Sequence, residues 1–287
     1  MNENIRREIE AGAGIKIKSV SSLSGGCISS AFKITDETGK SYFLKTNSSP
    51  PDLFLKEANG LTELKKAEAI RVPEVILCKE DFLLTEFISE GKHSKNFFEE
   101  FGRRFAALHR YTNNQFGFYE DNYIGSNRQI NIPGKGEENN WAAFYFNKRI
   151  LYQYKLAEKN GYATGELKKG IYHLEKSIDK ILNDSTESAV LLHGDLWSGN
   201  FIADEKGEAC LIDPAVYYGH READLAMTKL FGGFSGDFYS SYNEAYPLKL
   251  GYNYRENIYK LYHVLNHLNL FGRGYYAQAL SLMRSYE

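Results

Sequence analysis

Cysteine is scarce in this chain, and the three present, Cys27, Cys78 and Cys210, stand far apart. That number and spacing exclude a disulfide framework and a cysteine-based zinc module, and reduced thiols fit the cytoplasm. No apolar run is long enough to span a bilayer, and Met1-Asn2-Glu3-Asn4-Ile5-Arg6-Arg7-Glu8 lacks the apolar core of a secretory signal. The expectation is a cytoplasmic protein. An excess of one charge is missing too: Lys+Arg 35 against Asp+Glu 37 gives a formal net charge of -2, with both signs interspersed. Such a chain has no long-range attraction to nucleic acid or anionic lipid. The 21 Tyr and 18 Phe lack basic interleaving and are expected to fill a core. Internal repeats and low-complexity segments are also absent. What remains is size: 287 residues, 43% hydrophobic, can bury a core without staples, as one large domain or two lobes.

The first third reads as a short helix followed by strands at Ile15 to Val20, Ala31 to Thr35 and Tyr42 to Thr46, with Asp36-Glu37-Thr38-Gly39 as a turn. Pro50-Pro51-Asp52 opens a helix through about Lys66. Apolar segments at Glu74 to Leu77 and Phe82 to Phe87 then add to the antiparallel sheet. From Ser94 the period becomes helical, with stripes at Phe97, Phe101, Phe105 and Leu108 and over 141–159, 166–182, 222–231 and 256–271. Polar Ile88-Ser89-Glu90-Gly91-Lys92-His93 divides the two regimes, which predicts a small lobe over 1–88 and a mainly helical lobe over 89–287. The Asn- and Gly-rich stretch Asn113 to Asn140 is long for a connection, so it reads as a functional surface loop.

Chemistry concentrates in His193-Gly194-Asp195-Leu196-Trp197-Ser198-Gly199-Asn200 and the following Ile212-Asp213-Pro214. An Asp, an Asn five residues on, a hydrophobic hairpin and a second Asp form the order in which ATP-dependent phosphotransferases carry a base and magnesium ligands. Phe201-Ile202-Ala203 and Ala209-Cys210-Leu211-Ile212 read as strands joined by Asp204-Glu205-Lys206-Gly207. Paired residue numbers should then sum to about 412, which puts Asn200 opposite Ile212 and beside Asp213. Two hard oxygen ligands suit magnesium, which completes its shell with water and phosphate. Asp195, just before them, is placed to take a proton from an acceptor hydroxyl. Gly194 replaces the Arg of H-R-D, Asp213-Pro214-Ala215 replaces D-F-G, and the short run to Arg221-Glu222-Ala223-Asp224 leaves little room for an activation segment. A small-molecule acceptor is therefore favoured. Asp224 either braces the catalytic loop by accepting its backbone N–H groups or is an ordinary carboxylate at a helix start.

On the nucleotide side, Lys45 sits on the third strand, where a kinase lysine reaches the phosphates, and Glu57 on the next helix would be its partner. Gly25-Gly26 would let backbone N–H groups approach phosphate, and Glu86, Phe87 and Ile88 would carry the adenine through backbone hydrogen bonds. Cys27, in that glycine loop, is either a small buried hydrophobe or a redox-sensitive thiol near the phosphates. Gly39-Lys40-Ser41 has Ile34 where a Walker A loop needs glycine, so a P-loop fails. His263 and His267 stand one helical turn apart without the Glu of H-E-x-x-H, and read as a packed helix face.

Taken together, these residues resemble the fructosamine (ketosamine) kinases, relatives of aminoglycoside and choline kinases. The likeness runs through Gly25-Gly26-Cys27-Ile28, Phe43-Leu44-Lys45-Thr46, Phe116-Gly117-Phe118 with Ile124-Gly125, His193 to Asn200, Ile212-Asp213-Pro214-Ala215-Val216-Tyr217-Tyr218-Gly219, Glu222-Ala223-Asp224-Leu225-Ala226-Met227, Phe231-Gly232-Gly233-Phe234 and Leu265-Asn266-His267-Leu268-Asn269-Leu270-Phe271-Gly272. It implies an α+β, two-lobed protein-kinase-like fold and ATP-dependent, magnesium-supported phosphorylation of the 3-hydroxyl of a ketosamine. The unstable product then releases its amine. The implied roles are Asp195 as base, Asn200 and Asp213 on magnesium, and Lys45 with Glu57 at the phosphates. Trp197, Tyr217, Tyr218 and His220 would lie along the sugar, while His193 and Asp224 would support the loop. A monomer or weak dimer is expected, and a phosphotransferase of the aminoglycoside or choline kinase type is the alternative.

Overall fold

The computed structural model describes residues 1–23, 29–46, 50–182 and 187–287; Gly25, Gly26 and Cys27 lie outside the described residues. The chain forms two compact units, Met1–Phe97 with Asn200–Pro214, and Phe98–Gly199 with Ala215–Glu287. A single boundary after Ile88 was the expectation from sequence; each unit is instead discontinuous, and the Asn200–Pro214 hairpin packs with the N-terminal sheet.

In the first unit, α1 (Glu3–Ala13) starts where the Asn2 side chain accepts the Ile5 N–H at 2.8 Å, and it stops at Gly14 in the left-handed region. Then follow β1 (Ile17–Leu23), β2 (Ser30–Asp36), β3 (Ser41–Thr46), α2 (Leu53–Lys65), β4 (Val75–Cys78) and β5 (Phe82–Glu86). They make an antiparallel sheet in the order β1-β2-β3-β5-β4. The β2–β3 turn is organised by Asp36, whose Oδ1 accepts the Thr38 and Lys40 N–H groups at 2.9 and 3.0 Å. Alternation divides the faces: Ile34, Leu44, Phe82 and Leu84 pack with Ile5 and Ile9 of α1, while Leu83 meets Phe54 and Ala58 of α2. Lys45, next to Leu44, therefore points to the α2 side.

The second unit is mainly helical around a short antiparallel sheet. Its central strand, Ala189–Leu192, is buried throughout and pairs with Tyr217–Gly219 and Thr112–Asn113. Trp141–Tyr145 and Tyr152–Lys159 are joined by a π-helical turn, Phe146–Leu151. Helices Gly236–Ala245 and Tyr276–Arg284 escaped the periodicity reading because their buried stripes are short: Phe238, Ser241 and Tyr242 in one, Ala279 and Met283 in the other. The stretch Asn113 to Asn140 is not a plain surface loop. It contains the hairpin Asn122–Ile124/Asn127–Gln129, with Asn122, Gln129 and Asn131 buried. These amides satisfy carbonyls that burial would otherwise strand: Asn122 donates to Val216 O at 2.8 Å and Gln129 to Ala215 O at 2.9 Å. Among the described residues no helix is long and apolar enough to cross a membrane.

Candidate active site

Lys45 is the centre of the charged cluster in the first unit. Its ammonium donates to Glu57 Oε1 at 2.8 Å and to Asp213 Oδ1. Burial alone would push the ammonium's pKa down, but attraction to Asp213 and then Glu57 outweighs it, and the net direction is up. Lys45 is therefore charged at any working pH. Burial raises the Glu57 carboxyl to about 7, with Lys45 pulling it back. The Lys45 and Glu57 side chains are 11% and 14% exposed, whereas Asp213 is 46% exposed, so Asp213 keeps an open carboxylate face for a further ligand.

The hairpin supplies Asp213 and Asn200. Phe201 pairs with Leu211, Ile202 with Cys210 and Ala203 with Ala209, the register expected from sequence. The Ile212 N–H closes it onto Asn200 O at 3.1 Å. Asp213 itself has φ +53, a left-handed conformation that costs a non-glycine residue about 1–2 kcal/mol and that Asp and Asn bear best. Nothing in the sequence signalled that turn, which carries the chain away from the strand at the residue bearing the carboxylate. An amide oxygen and a carboxylate are hard donors of the kind magnesium takes, so the residues present fit that ion.

The segment expected to carry the adenine, Glu86 to Ile88, is held from the side. The Glu86 N–H donates to Glu74 O at 2.8 Å, and its carboxylate accepts from Arg71 at 2.6 Å. Phe87 lies under the Lys33 ammonium at 4.3 Å from the ring centroid, and Ile88 is buried.

In the second unit the loop carrying Asp195 is pinned by one buried carboxylate. Asp224 accepts the His193 N–H at 2.7 Å and the Gly194 N–H at 2.8 Å. Burial pushes its pKa up, but hydrogen bonds from His109 and the Gly194 N–H prevail and hold it below the usual carboxylate range. His109 Nε2 lies 3.3 Å from the same carboxylate, and its Nδ1 lies 2.7 Å from the Tyr242 hydroxyl. A carboxylate accepts, so Nε2 carries the proton and Nδ1 takes that of Tyr242. His193 turns back so that its Nδ1 accepts the Asp195 N–H at 3.3 Å. Gly194 has φ +84, and a Cβ there would sit 2.0 Å from Ala215 O. The glycine that replaces the arginine of H-R-D is thus required by backbone contact.

Trp197 is 37% exposed, edge-on to Phe231 with centroids 6.0 Å apart. Its indole covers Gly199, where a Cβ would come within 2.4 Å of the ring; this explains the Trp-Ser-Gly run. The other expected sugar contacts are placed differently. Tyr217 lies under the buried Arg149 guanidinium at 4.1 Å, and Tyr218 is equally buried. His220 stacks on Trp141 at 4.8 Å. The strand Tyr217–Gly219 is covered on both faces, so its aromatics belong to the core, and Trp197 is the exposed member of the four. Phe231, in the run Phe231-Gly232-Gly233-Phe234, has no site role in the sequence reading, where it is one of many phenylalanines. His263 and His267 behave as a packed helix face: His267 Nδ1 lies 2.7 Å from His263 O.

The architecture defines a class first, the proteins with a protein-kinase-like fold. An ADP-bound aminoglycoside phosphotransferase superposes with a TM-score of 0.65, covering 99% of this chain and 98% of that one at 15% identity, a likeness of fold alone. Within that class, the fructosamine kinase family model matches residues 1–286, and the chain belongs to that family. It is similar to the chloroplastic protein-ribulosamine 3-kinase of Arabidopsis thaliana, with 38% identity over 296 residues covering 100% of this chain and 88% of that protein. A Thermobifida fusca structure assigned as a fructosamine-3-kinase superposes with a TM-score of 0.88 at 29% identity, covering 100% of this chain and 99% of that one.

Proposed function

We propose that the chain is an ATP-dependent ketosamine 3-kinase of the cytoplasm: it transfers the γ-phosphoryl group of ATP to the 3-hydroxyl of a sugar–amine adduct. The phosphorylated adduct is unstable and releases its amine, so the reaction serves deglycation. The observation that carries this reading is the Lys45 ammonium bridging Glu57 and Asp213 in a chain of the fructosamine kinase family.

Each residue then has a task. Lys45, aligned by Glu57, holds the α and β phosphates. Gly25 and Gly26 offer backbone N–H groups to phosphate, and Glu86, Phe87 and Ile88 carry the adenine. Asn200 and Asp213 hold magnesium, which when bound neutralises charge on the phosphate oxygens. Asp195, steadied by His193 and Asp224, accepts the proton of the 3-hydroxyl as that oxygen attacks phosphorus. Trp197 packs on the sugar's apolar face, as aromatic side chains do. Tyr217, Tyr218 and His220 act from behind as packing. The test is a coupled ADP-release assay over fructosamine, ribulosamine and erythrulosamine adducts, with choline and an aminoglycoside in the same panel. Activity on ketosamines is expected; activity confined to choline or the aminoglycoside overturns the assignment.

A further inference from the structure

The hairpin that carries Asn200 and Asp213 is distant in sequence from the sheet it packs on, and one residue makes much of the connection. The Arg71 carbonyl accepts the Leu211 N–H at 2.9 Å, and Arg71 bridges Cys210 in parallel, shortly before the turn at Asp213. Its guanidinium reaches in two directions. One terminal nitrogen donates to Asp204 Oδ2 at 2.7 Å and Glu205 Oε1 at 2.8 Å, at the tip of the hairpin. The other donates to Glu86 Oε1 at 2.6 Å, at the end of β5, where the adenine segment begins.

Asp204 is the right handle for such a grip. Its side chain is 2% exposed, and its other oxygen accepts the Lys206 and Glu208 N–H groups at 2.9 and 3.0 Å, so it shapes the hairpin turn. On the opposite side, the Gly91 N–H donates to Ala203 O at 2.9 Å, and a Cβ on Gly91 would stand 2.2 Å from Asp204 O. The hairpin is thus wedged between the segment after β5 and Arg71. A planar guanidinium can serve acceptors on two sides at once; a lysine ammonium at this place cannot reach both.

We propose that Arg71 is a positioning residue for the metal and nucleotide ligands, locking the Asn200–Asp213 hairpin to the strand end that carries Glu86. The inference rests on the reading of Asn200 and Asp213 as magnesium ligands. Supporting contacts of this kind are commonly worth about 10–100-fold in metal affinity or activity.

The test measures ATP binding by calorimetry, with magnesium and in EDTA, on wild type, Arg71→Lys, Asp204→Asn and Asp213→Asn, together with steady-state kinetics and thermal unfolding. Asp204→Asn retains an oxygen for the turn, so it carries the same test if Arg71→Lys does not yield folded protein. Expected for both Arg71→Lys and Asp204→Asn is a magnesium-dependent gain in ATP affinity at least about 10-fold smaller than wild type, with KM for MgATP raised to match. KM for the ketosamine should stay within about twofold, which a general loss of structure would not produce. If Asp213→Asn abolishes the gain while the folded Arg71 or Asp204 variant keeps it, the positioning role is wrong. If Asp213→Asn also keeps it, the metal reading fails instead.

Discussion

Replacing Asp224 by Asn is the sharpest probe of the loop that carries Asp195. In the native structure one carboxylate oxygen takes the His193 N–H and the other takes the Gly194 N–H, at 2.7 and 2.8 Å. Each is a charge-assisted bond worth about 1.5–3 kcal/mol. The amide has a single oxygen. Set where it keeps His193 and His109, it turns its NH2 toward the Gly194 N–H, donor against donor. Asp224 is 1% exposed, so water cannot repair the mismatch. The stranded donors cost about 1–3 kcal/mol and the remaining bonds lose about 1–2 more, for a total of about 2–5 kcal/mol. In a domain of this size that lowers Tm by roughly 4–20 °C. Because Gly194 precedes Asp195 directly, the proposed base also drifts, and a displacement of about 1 Å is worth up to about 100-fold in rate. Asp224→Asn should therefore lower kcat at least about 10-fold at a temperature where it stays folded, with KM for MgATP within about threefold. Scanning calorimetry and ADP-release kinetics measure both. A kcat within threefold of wild type refutes the bracing role, even if Tm falls.

Asp195→Asn should retain MgATP binding by calorimetry while kcat falls by roughly 10²–10⁴, the usual worth of a general base; a wild-type rate would remove Asp195 from the chemistry. Gly194→Ala meets Ala215 O at 2.0 Å from a left-handed φ, so it should lose more than about 2 kcal/mol in denaturant unfolding, and a neutral result would mean that the loop yields freely. The pH dependence of stability comes from buried imidazoles: burial holds His220 and His263 near pKa 3, and His109 is lowered in the same direction. Their folded pKa lies below the unfolded value of about 6.5, so the unfolded chain takes up protons first and stability falls as pH drops below 6.5. At pH 5 this amounts to about 2 kcal/mol for each of His220 and His263. The lowered pKa of Asp224 adds a loss only below the ordinary carboxylate range. Tm should thus decline between pH 7 and 5, and His263→Gln should flatten the decline; an unchanged slope in that variant contradicts the assignment.

Much of the framework could be read from local rules. The strands of the N-terminal sheet announce themselves by β-branched and aromatic runs, with the turn Asp36-Glu37-Thr38-Gly39 between two of them. The hairpin after Asn200 turns around Lys206, which leaves one register compatible with both apolar strands, and Phe201 duly faces Leu211. What stayed hidden depends on contacts across long sequence separations. Nothing near Tyr217 or His220 says that Trp141 and Arg149 cover that strand, so aromatics beside a catalytic motif pass for a pocket wall. Gly194 reads as a departure from H-R-D until Ala215 O is seen against it. The left-handed turn at Asp213 carries an ordinary residue, without the glycine that usually betrays such a conformation. Asp224 could be counted either as a brace or as a helix-start carboxylate, because both uses place Asp in a helix's first turn.

The discontinuity of the first unit bears on how the chain is made. Arg71 is synthesised 133 residues before Asp204. At about 5–20 residues per second, a ribosome needs roughly 7–27 s to deliver the hairpin that Arg71 grips. During that interval the N-terminal sheet is out in solution with a cation facing no anion at the hairpin position, and the whole second-unit segment Phe98–Gly199 emerges before its missing piece. A fragment ending at Phe97 is consequently an incomplete unit, because it lacks the Asn200–Pro214 segment.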